Sequence, residues 1–112
     1  MAYDAELSDR YRSALAKRDQ ITEKRMMGGI CFFLHGNMVG GADRSKQGER
    51  RFMFRVGKGN PAAAELPHGV PVILGERPMP GFYFVDAECC DDALLADWLK
   101  LALTHAASLP PK

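Results

Sequence analysis

The sequence has little cysteine, no excess of charge and no long apolar run, and each absence excludes a class of protein. Its three cysteines, Cys31, Cys89 and Cys90, include one adjacent pair and lack the CxxC spacing, which argues against a disulfide framework. The chain has 15 basic and 14 acidic residues and hence a net charge of +1. Proteins that bind nucleic acid through electrostatic attraction are usually much more basic. No apolar run approaches the ~18 residues of a membrane span.

What the chain does contain is the composition of one ordinary globular domain. Its 112 residues are 46% hydrophobic and 26% charged, so we expect a single domain over residues 1–112 with its own core. The first residues are acidic and polar, unlike a secretory signal peptide. Reduced thiols and the lack of a membrane segment predict a cytoplasmic location.

Periodicity and turn residues predict an α+β domain. We expect a two-layer α-β(3)-α-β(2)-α order with a mainly antiparallel five-stranded sheet and the helices on one face. The first predicted helix spans 4–18 and is capped by Asp4. A short second helix is predicted from Pro61 to Leu66, capped by Asn60. The third begins at Asp91 or Asp92 and ends at about residue 108. The predicted strands are 22–35, the strand after the turn, 52–56, 70–74 at an edge, and 82–85.

The glycines and prolines predict how these segments connect. Gly28-Gly29 inside the first long strand is interpreted as a β-bulge, and Gly36-Asn37 as a type II′ hairpin turn. The polar segment 42–51 is predicted as a hairpin loop, and 77–81 as a connection.

Two predicted strands are apolar on both faces, which predicts an interaction surface. Residues 30–34 and 82–85 have no polar face, yet a two-layer domain leaves one side of its sheet uncovered. We therefore expect a homodimer formed through the sheet or its edge. Alternatively, a helix or the 42–51 loop covers this face. The expected interface residues are Cys31 and Phe33, with Ile30 and Phe32 as the alternative pair, together with Met53 and Tyr83, with Phe84 as the alternative to Tyr83.

Five motifs in order resemble the TfoX (Sxy) N-terminal domain family. They are EKRMMGG (23–29), FLHGNM (33–38), FRVGK (54–58), RPMPGF (77–82) and SLPPK (108–112). The resemblance spans nearly the whole chain and implies an α+β domain of the order given above. Met27 stands where the family commonly has an aromatic residue, and Pro80 where it often has lysine.

The resemblance also implies a function. Full-length members regulate natural competence in bacteria, work with the cyclic-AMP receptor protein at promoters, and carry a second, helical domain. This chain is expected to be a standalone single-domain member. The resemblance therefore implies a regulatory module that acts through a protein partner in transcription.

No set of residues predicts catalysis. The histidines, His35, His68 and His105, have no metal-ligand spacing with the cysteines. Asp91 and Asp92 are more typical of helix caps than of a general acid and base. We expect no catalytic residue, no metal and no cofactor, and hence a protein that is not an enzyme.

Basic residues and glycines supply the candidate binding site. Lys24, Arg25, Arg55 and Lys58 fall on or beside neighbouring strands, where they predict a basic rim for an acidic partner surface; alternatively, they are a solvated edge that deters aggregation. A different hypothesis is a small ligand-binding protein or enzyme with a pocket near Gly28, Gly29, Arg55 and Gly81. Direct binding of nucleic acid by this chain alone is disfavoured, because its aromatic residues are better explained as core.

Overall fold

The structure, a computed structural model, describes residues 3–26 and 28–112. The helices are α1 (Ala5–Ala14) and α2 (Asp92–Ser108). The strands are β1 (Ile21–Met26), β2 (Gly29–Leu34), β3 (Asn37–Arg44), β4 (Arg50–Arg55), β5 (Gly69–Leu74) and β6 (Arg77–Asp86). Short 3₁₀ helices span Pro61–Glu65 and Ala87–Cys89. Within the described part of the chain, neither helix has the length and apolarity needed to cross a membrane.

All six strands form one sheet in the order β1-β2-β3-β4-β6-β5, with antiparallel pairing throughout. The α+β class is confirmed, but the prediction of five strands is wrong. The predicted long strand 22–35 is a hairpin in which Met26 pairs with Gly29, and Gly28 has a positive φ of 78°. The predicted bulge at Gly28-Gly29 is therefore a turn, and Met27 lies outside the described residues.

One of two register shifts in the sheet lies on the next hairpin. The register between β2 and β3 shifts between Phe32 and Phe33. The turn after β2 is formed by His35 and Gly36, with φ of 52° and 82°. Both residues adopt the left-handed backbone conformation, so the turn is of type I′ and the predicted type II′ turn is wrong.

Three predicted boundaries also differ from the structure. Helix α1 ends at Ala14 instead of residue 18, and the loop between β3 and β4 is only 45–49. The segment 77–81, predicted as a connection, is the first half of β6. The predicted strands before and after it are the edge strand β5 and the rest of β6.

The predicted helix caps are confirmed. Asp4 accepts a hydrogen bond from the Leu7 amide at 3.1 Å, and Asp91 accepts one from the Leu94 amide at 2.8 Å. Asn60 caps the 3₁₀ helix through its contact with the Ala62 amide at 3.0 Å. Each cap pairs an amide that the first turn of a helix leaves without a partner.

Tyr11 is the centre of the core beneath α1. Its ring is fully buried and stacks on Phe32, with the centroids 4.8 Å apart, and lies 5.6 Å from Phe54. Its hydroxyl donates to the Met53 carbonyl oxygen at 2.9 Å. Gly40 leaves the space for that hydroxyl, because a side chain there would collide with it and with β4.

Helix α2 packs on the same face through Trp98. The indole stacks on Phe54 at 5.6 Å and lies 5.4 Å from the ring of Tyr83. A Cβ at Gly69 would lie 2.5 Å from this indole, so β5 passes beneath it only as glycine. Both helices thus cover one face of the sheet, and the opposite face is left open.

A buried carboxylate ties the start of α1 to the sheet. Asp4 is 5% exposed, and its Oδ2 accepts from Arg44 and from Arg50, each at 3.0 Å. Burial raises the pKa of this carboxyl, but the hydrogen bonds from Arg50, the Leu7 amide and Arg44 outweigh it and lower the pKa from 3.8 to about 2. The charged form of Asp4 therefore stabilises the folded state.

We expect Asp4→Ala to lower the free energy of unfolding by about 2 kcal/mol at pH 7, measured by urea denaturation. Arg44 and Arg50 remain in contact with solvent after the change. The free energy of unfolding therefore falls by less than it would if a buried charge were left without a partner. Because the pKa of Asp4 is depressed in the folded state, its contribution is complete above pH 3.8 and is lost as the pH falls toward 2.

The exposed Asp97, mutated to alanine, is the matched control and should change stability by less than about 0.5 kcal/mol. Between pH 4 and pH 2 the Asp4→Ala protein should lose less stability than the parent. Equal losses over that range would contradict the role given to Asp4.

Candidate functional site: the open face of the sheet

One row of side chains crosses the face of the sheet that the helices leave uncovered, which we call the open face. The printed register of each strand pair connects these positions from β1 to β5 in one continuous line. In order they are Lys24, Cys31, Gly41, Met53, Phe84 and Val70. The middle of the row is apolar, and its charged residue stands at one edge.

Arginines lie over the aromatic rings of the open face. The Arg51 guanidinium is 3.8 Å from the centroid of Phe84, and it donates to both carboxylate oxygens of Asp43 at 3.0 and 3.1 Å. Arg55 is 5.8 Å from the ring of Phe82. Aromatic side chains and arginine are both enriched where proteins bind one another.

The four expected interface residues do not share one face. Cys31 and Met53 belong to the open face but are only 4% and 8% exposed, whereas Phe33 is half-buried. Tyr83 pairs with Phe54 and contacts Trp98, so it belongs to the face that the helices cover. Phe84, the alternative, is the residue of β6 that occupies the open face.

The predicted basic rim is divided between two sides of the sheet. Lys24 lies on the open face, but Arg25 points the other way and stacks on Tyr3, 4.2 Å from its centroid. Arg55 is at the end of β4, and Lys58 is in the loop that follows. None of these four residues forms an ion pair within residues 3–26 and 28–112.

The structure does not bring the predicted glycine pocket together. Gly29 lies against Ala42 and Asp43, and Asp43 is paired with Arg51. Arg55 is four residues further along β4, or about 13 Å away. Gly81 has a φ of 84° and approaches the backbone of the 57–58 loop, so its role is to admit that loop.

A narrow crevice opens at the centre of the open face. Its volume is about 20 Å³, which is enough for one water or ion and too small for an organic ligand. Eight residues line it: Met26, Gly29, Ile30, Cys31, Gly41, Ala42, Asp43 and Met53. Burial, and to a smaller degree Asp43, raise the pKa of the Cys31 thiol to about 11.

A larger concavity belongs to the other side of the molecule. It has a volume of about 730 Å³ and lies between α1 and α2, where Arg10 and Asp92 form an ion pair at 3.0 Å. Across the described residues, no three His, Cys, Asp or Glu side chains are grouped as they would be around a metal ion. His105 packs beside Gly57, and burial together with Arg55 lowers its pKa.

The open face contains residues that the sequence analysis did not name as interface or binding residues. They are Met26, Met38 and, within the predicted strand 82–85, Phe82. The missing signal was the register: once Met26-Gly29 is treated as a hairpin turn, alternation places Met26 on the side of Lys24. Phe82 follows in the same way from its pairing with Arg55.

Comparison with known proteins gives one match. The family model described as the TfoX N-terminal domain matches residues 13–106 of the chain. Comparison with curated proteins found no match, and comparison with solved structures found none either.

The three thiols should differ in reactivity. Cys89 is exposed, whereas Cys31 and Cys90 are buried, and burial raises the pKa of Cys90 to about 11 as well. We expect one fast and two slow reactions with an aromatic disulfide reagent at pH 8, because only the thiolate attacks. Cys89→Ser should remove the fast phase and Cys90→Ser should not; two fast phases in the parent would contradict this.

Proposed function

Because the chain belongs to the TfoX N-terminal domain family, a family of competence-related regulatory domains, we propose that it is a non-catalytic protein-interaction domain. Its contact surface is the open face of the sheet. Its regulatory role is exerted in the cytoplasm through a protein partner in transcription.

The observation that carries this proposal is the composition of the open face. Both helices pack on the other side, and the side chains at the centre of this one are apolar: the nearly buried Cys31 and Met53 and the half-buried Phe84. Charged side chains, Lys24 and Arg55 among them, lie toward its margins. An apolar centre with a polar margin is the usual anatomy of a protein–protein interface.

The proposed occupant of this face is a second copy of the chain, which makes a homodimer. Half-buried Phe33 and Met38 are direct cross-strand partners, so they form one apolar patch that a second molecule would cover. Lys24 and Arg55, which form no ion pair with the residues that the structure describes, favour an acidic surface on the further regulatory partner. Net charge gives no support for nucleic acid as that partner.

The absence of catalysis is part of the proposal and is supported by the site itself. The open face offers a thiol with a raised pKa and a carboxylate already held by Arg51, so neither is poised as a nucleophile or base. The crevice there is too small to hold an organic substrate.

We expect the purified chain to sediment at twice its monomer mass at micromolar concentration, and Phe33→Glu to shift it to the monomer. A carboxylate in the apolar patch must lose its hydration when a second copy covers it. Sedimentation velocity at several concentrations measures the equilibrium.

Ala96→Glu is the matched control, because Ala96 is exposed on α2 on the other side of the sheet. It should leave the dimer intact. Met38→Glu provides a second disruptive variant, with circular dichroism to confirm folding. A parent protein that stays monomeric, or a dimer that survives both variants of the patch, would refute the interface.

A further inference from the structure

We propose that the pocket between the second half of α2 and the segment 56–62, which we call the α2 pocket, binds a small organic carboxylate. The α2 pocket belongs to the side of the sheet that the helices cover. This inference therefore goes beyond the interaction role of the open face and does not depend on it.

The α2 pocket has the size and the mixed lining of a small-molecule site. Its volume is about 420 Å³, and pockets for small ligands typically have about 300–1,000 Å³. Three of its residues are apolar and buried or half-buried, and the other five are polar. The lining consists of Val56, Asn60, Ala62, Lys100, Leu101, Thr104, His105 and Ser108.

Helix α2 supplies one wall of the α2 pocket. Leu101, Thr104 and Ser108 are three and four residues apart, so they lie side by side on one face of the helix. His105 lies at the flank of that face, where it meets the loop after β4. A Cβ at Gly57 would lie 2.7 Å from the Nδ1 atom of His105, so the absence of a side chain there lets the loop approach the helix.

Asn60 fixes the shape of the opposite wall. Its side-chain nitrogen donates to the Val56 carbonyl oxygen at 2.9 Å, and its side-chain oxygen accepts from the Ala62 amide at 3.0 Å. The nitrogen has two hydrogens, and the second is available to a ligand oxygen. The wall is thus held in place before a ligand arrives, which lowers the entropy cost of binding.

The charges of the α2 pocket select an anion. Among the residues that the structure describes, no acidic side chain lines it. Lys100 is exposed and forms no ion pair with Asp97, one turn away, or with any other part of residues 3–26 and 28–112. Its ammonium group and the Thr104 hydroxyl are donors for the two oxygens of a carboxylate.

The amount of charge favours a carboxylate over a phosphate. Lys100 carries one full positive charge. Burial and, to a smaller degree, Arg55 lower the pKa of His105 from 6.5, so its ring is mostly neutral at pH 7. One positive charge balances a carboxylate, whereas a phosphate dianion would keep an excess negative charge beside apolar side chains.

The carbonyl groups at the end of α2 oppose an anion, but this effect is local. The last turn of a helix carries a partial negative charge that fades beyond that turn. Lys100 lies two turns before the end of α2 at Ser108. The Ser108 hydroxyl also donates to the His105 carbonyl oxygen at 2.6 Å. The carboxylate is therefore expected beside Lys100 and Thr104, away from the helix end.

The larger concavity between α1 and α2 lacks this character. Its described lining includes four charged residues, and each of them already has a partner of opposite charge. The ion pairs are Glu6 with Arg50, Asp9 with Arg12, and Arg10 with Asp92. An anion would have to displace one of these partners, whereas in the α2 pocket it meets an exposed ammonium group.

The test is a titration of the nitrogen-15-labelled full chain with sodium benzoate, followed through the amide signals in two-dimensional NMR. Benzamide, which has the same shape without the charge, is the matched control ligand. We expect benzoate to cause saturable shifts confined to residues 56–62 and 100–108, with a Kd of about 1–10 mM, as suits a ligand of this size. Benzamide should bind at least about tenfold more weakly.

Variants separate a specific site from a solvent-filled groove. Lys100→Met keeps the length of the side chain and removes its charge, and it should weaken benzoate binding by at least about tenfold. Thr104→Val removes the hydroxyl and should weaken binding by a smaller factor. Lys46→Met, in the exposed loop between β3 and β4, is the control and should leave the affinity unchanged. The NMR spectrum of each variant shows whether it is folded.

Four outcomes would overturn the proposal. They are benzoate shifts that do not saturate, equal binding of benzamide and benzoate, unchanged affinity in Lys100→Met, and saturable shifts outside the α2 pocket alone. Inorganic phosphate is titrated in parallel. Shifts of the same residues by phosphate without shifts by benzoate would overturn the assignment to a carboxylate.

Discussion

The burial of Tyr11 is the constraint on which the rest of the structure depends. Its ring fills the space between α1 and three phenylalanines of the sheet, and its hydroxyl reaches the Met53 carbonyl. That reach requires a glycine at position 40, beside the irregular register between β2 and β3. The same contact fixes which side of the sheet α1 covers. Once α2 has joined it there through Trp98, the opposite side is left open.

One feature of the open face favours its proposed role as a contact surface. Arg51 lies over Phe84 while its donors are satisfied by Asp43, so the guanidinium is held flat by two partners at once. A surface whose arginines are preorganised in this way loses less side-chain freedom when it is covered. That argument favours a contact surface over an exposed part of the core.

The sequence predicted the class of the fold but not the identity of the open face. Capping residues such as Asp4 and Asn60 bind amides two or three residues further along the chain, so the local sequence pattern was sufficient to predict them. The error at Gly28-Gly29 was a choice between a bulge and a turn, which glycine permits equally. Because side chains alternate along a strand, faces are known only once register is known. Tyr83 and Phe84 are neighbours on opposite faces, and choosing between them required the pairing with β4.

The character of the two edges of the sheet is the reason why we propose the open face, and not an edge, as the contact surface. At one edge, β1 exposes Glu23, Lys24 and Arg25, and charges of this kind oppose the addition of another strand. At the other, Val70 and Ile73 are each 60% exposed, but Pro71 removes a donor between them and the register with β6 is irregular. Neither edge therefore offers a continuous row of free backbone groups backed by apolar side chains. The proposed second copy would therefore contact the open face, where Phe33 and Met38 are cross-strand partners.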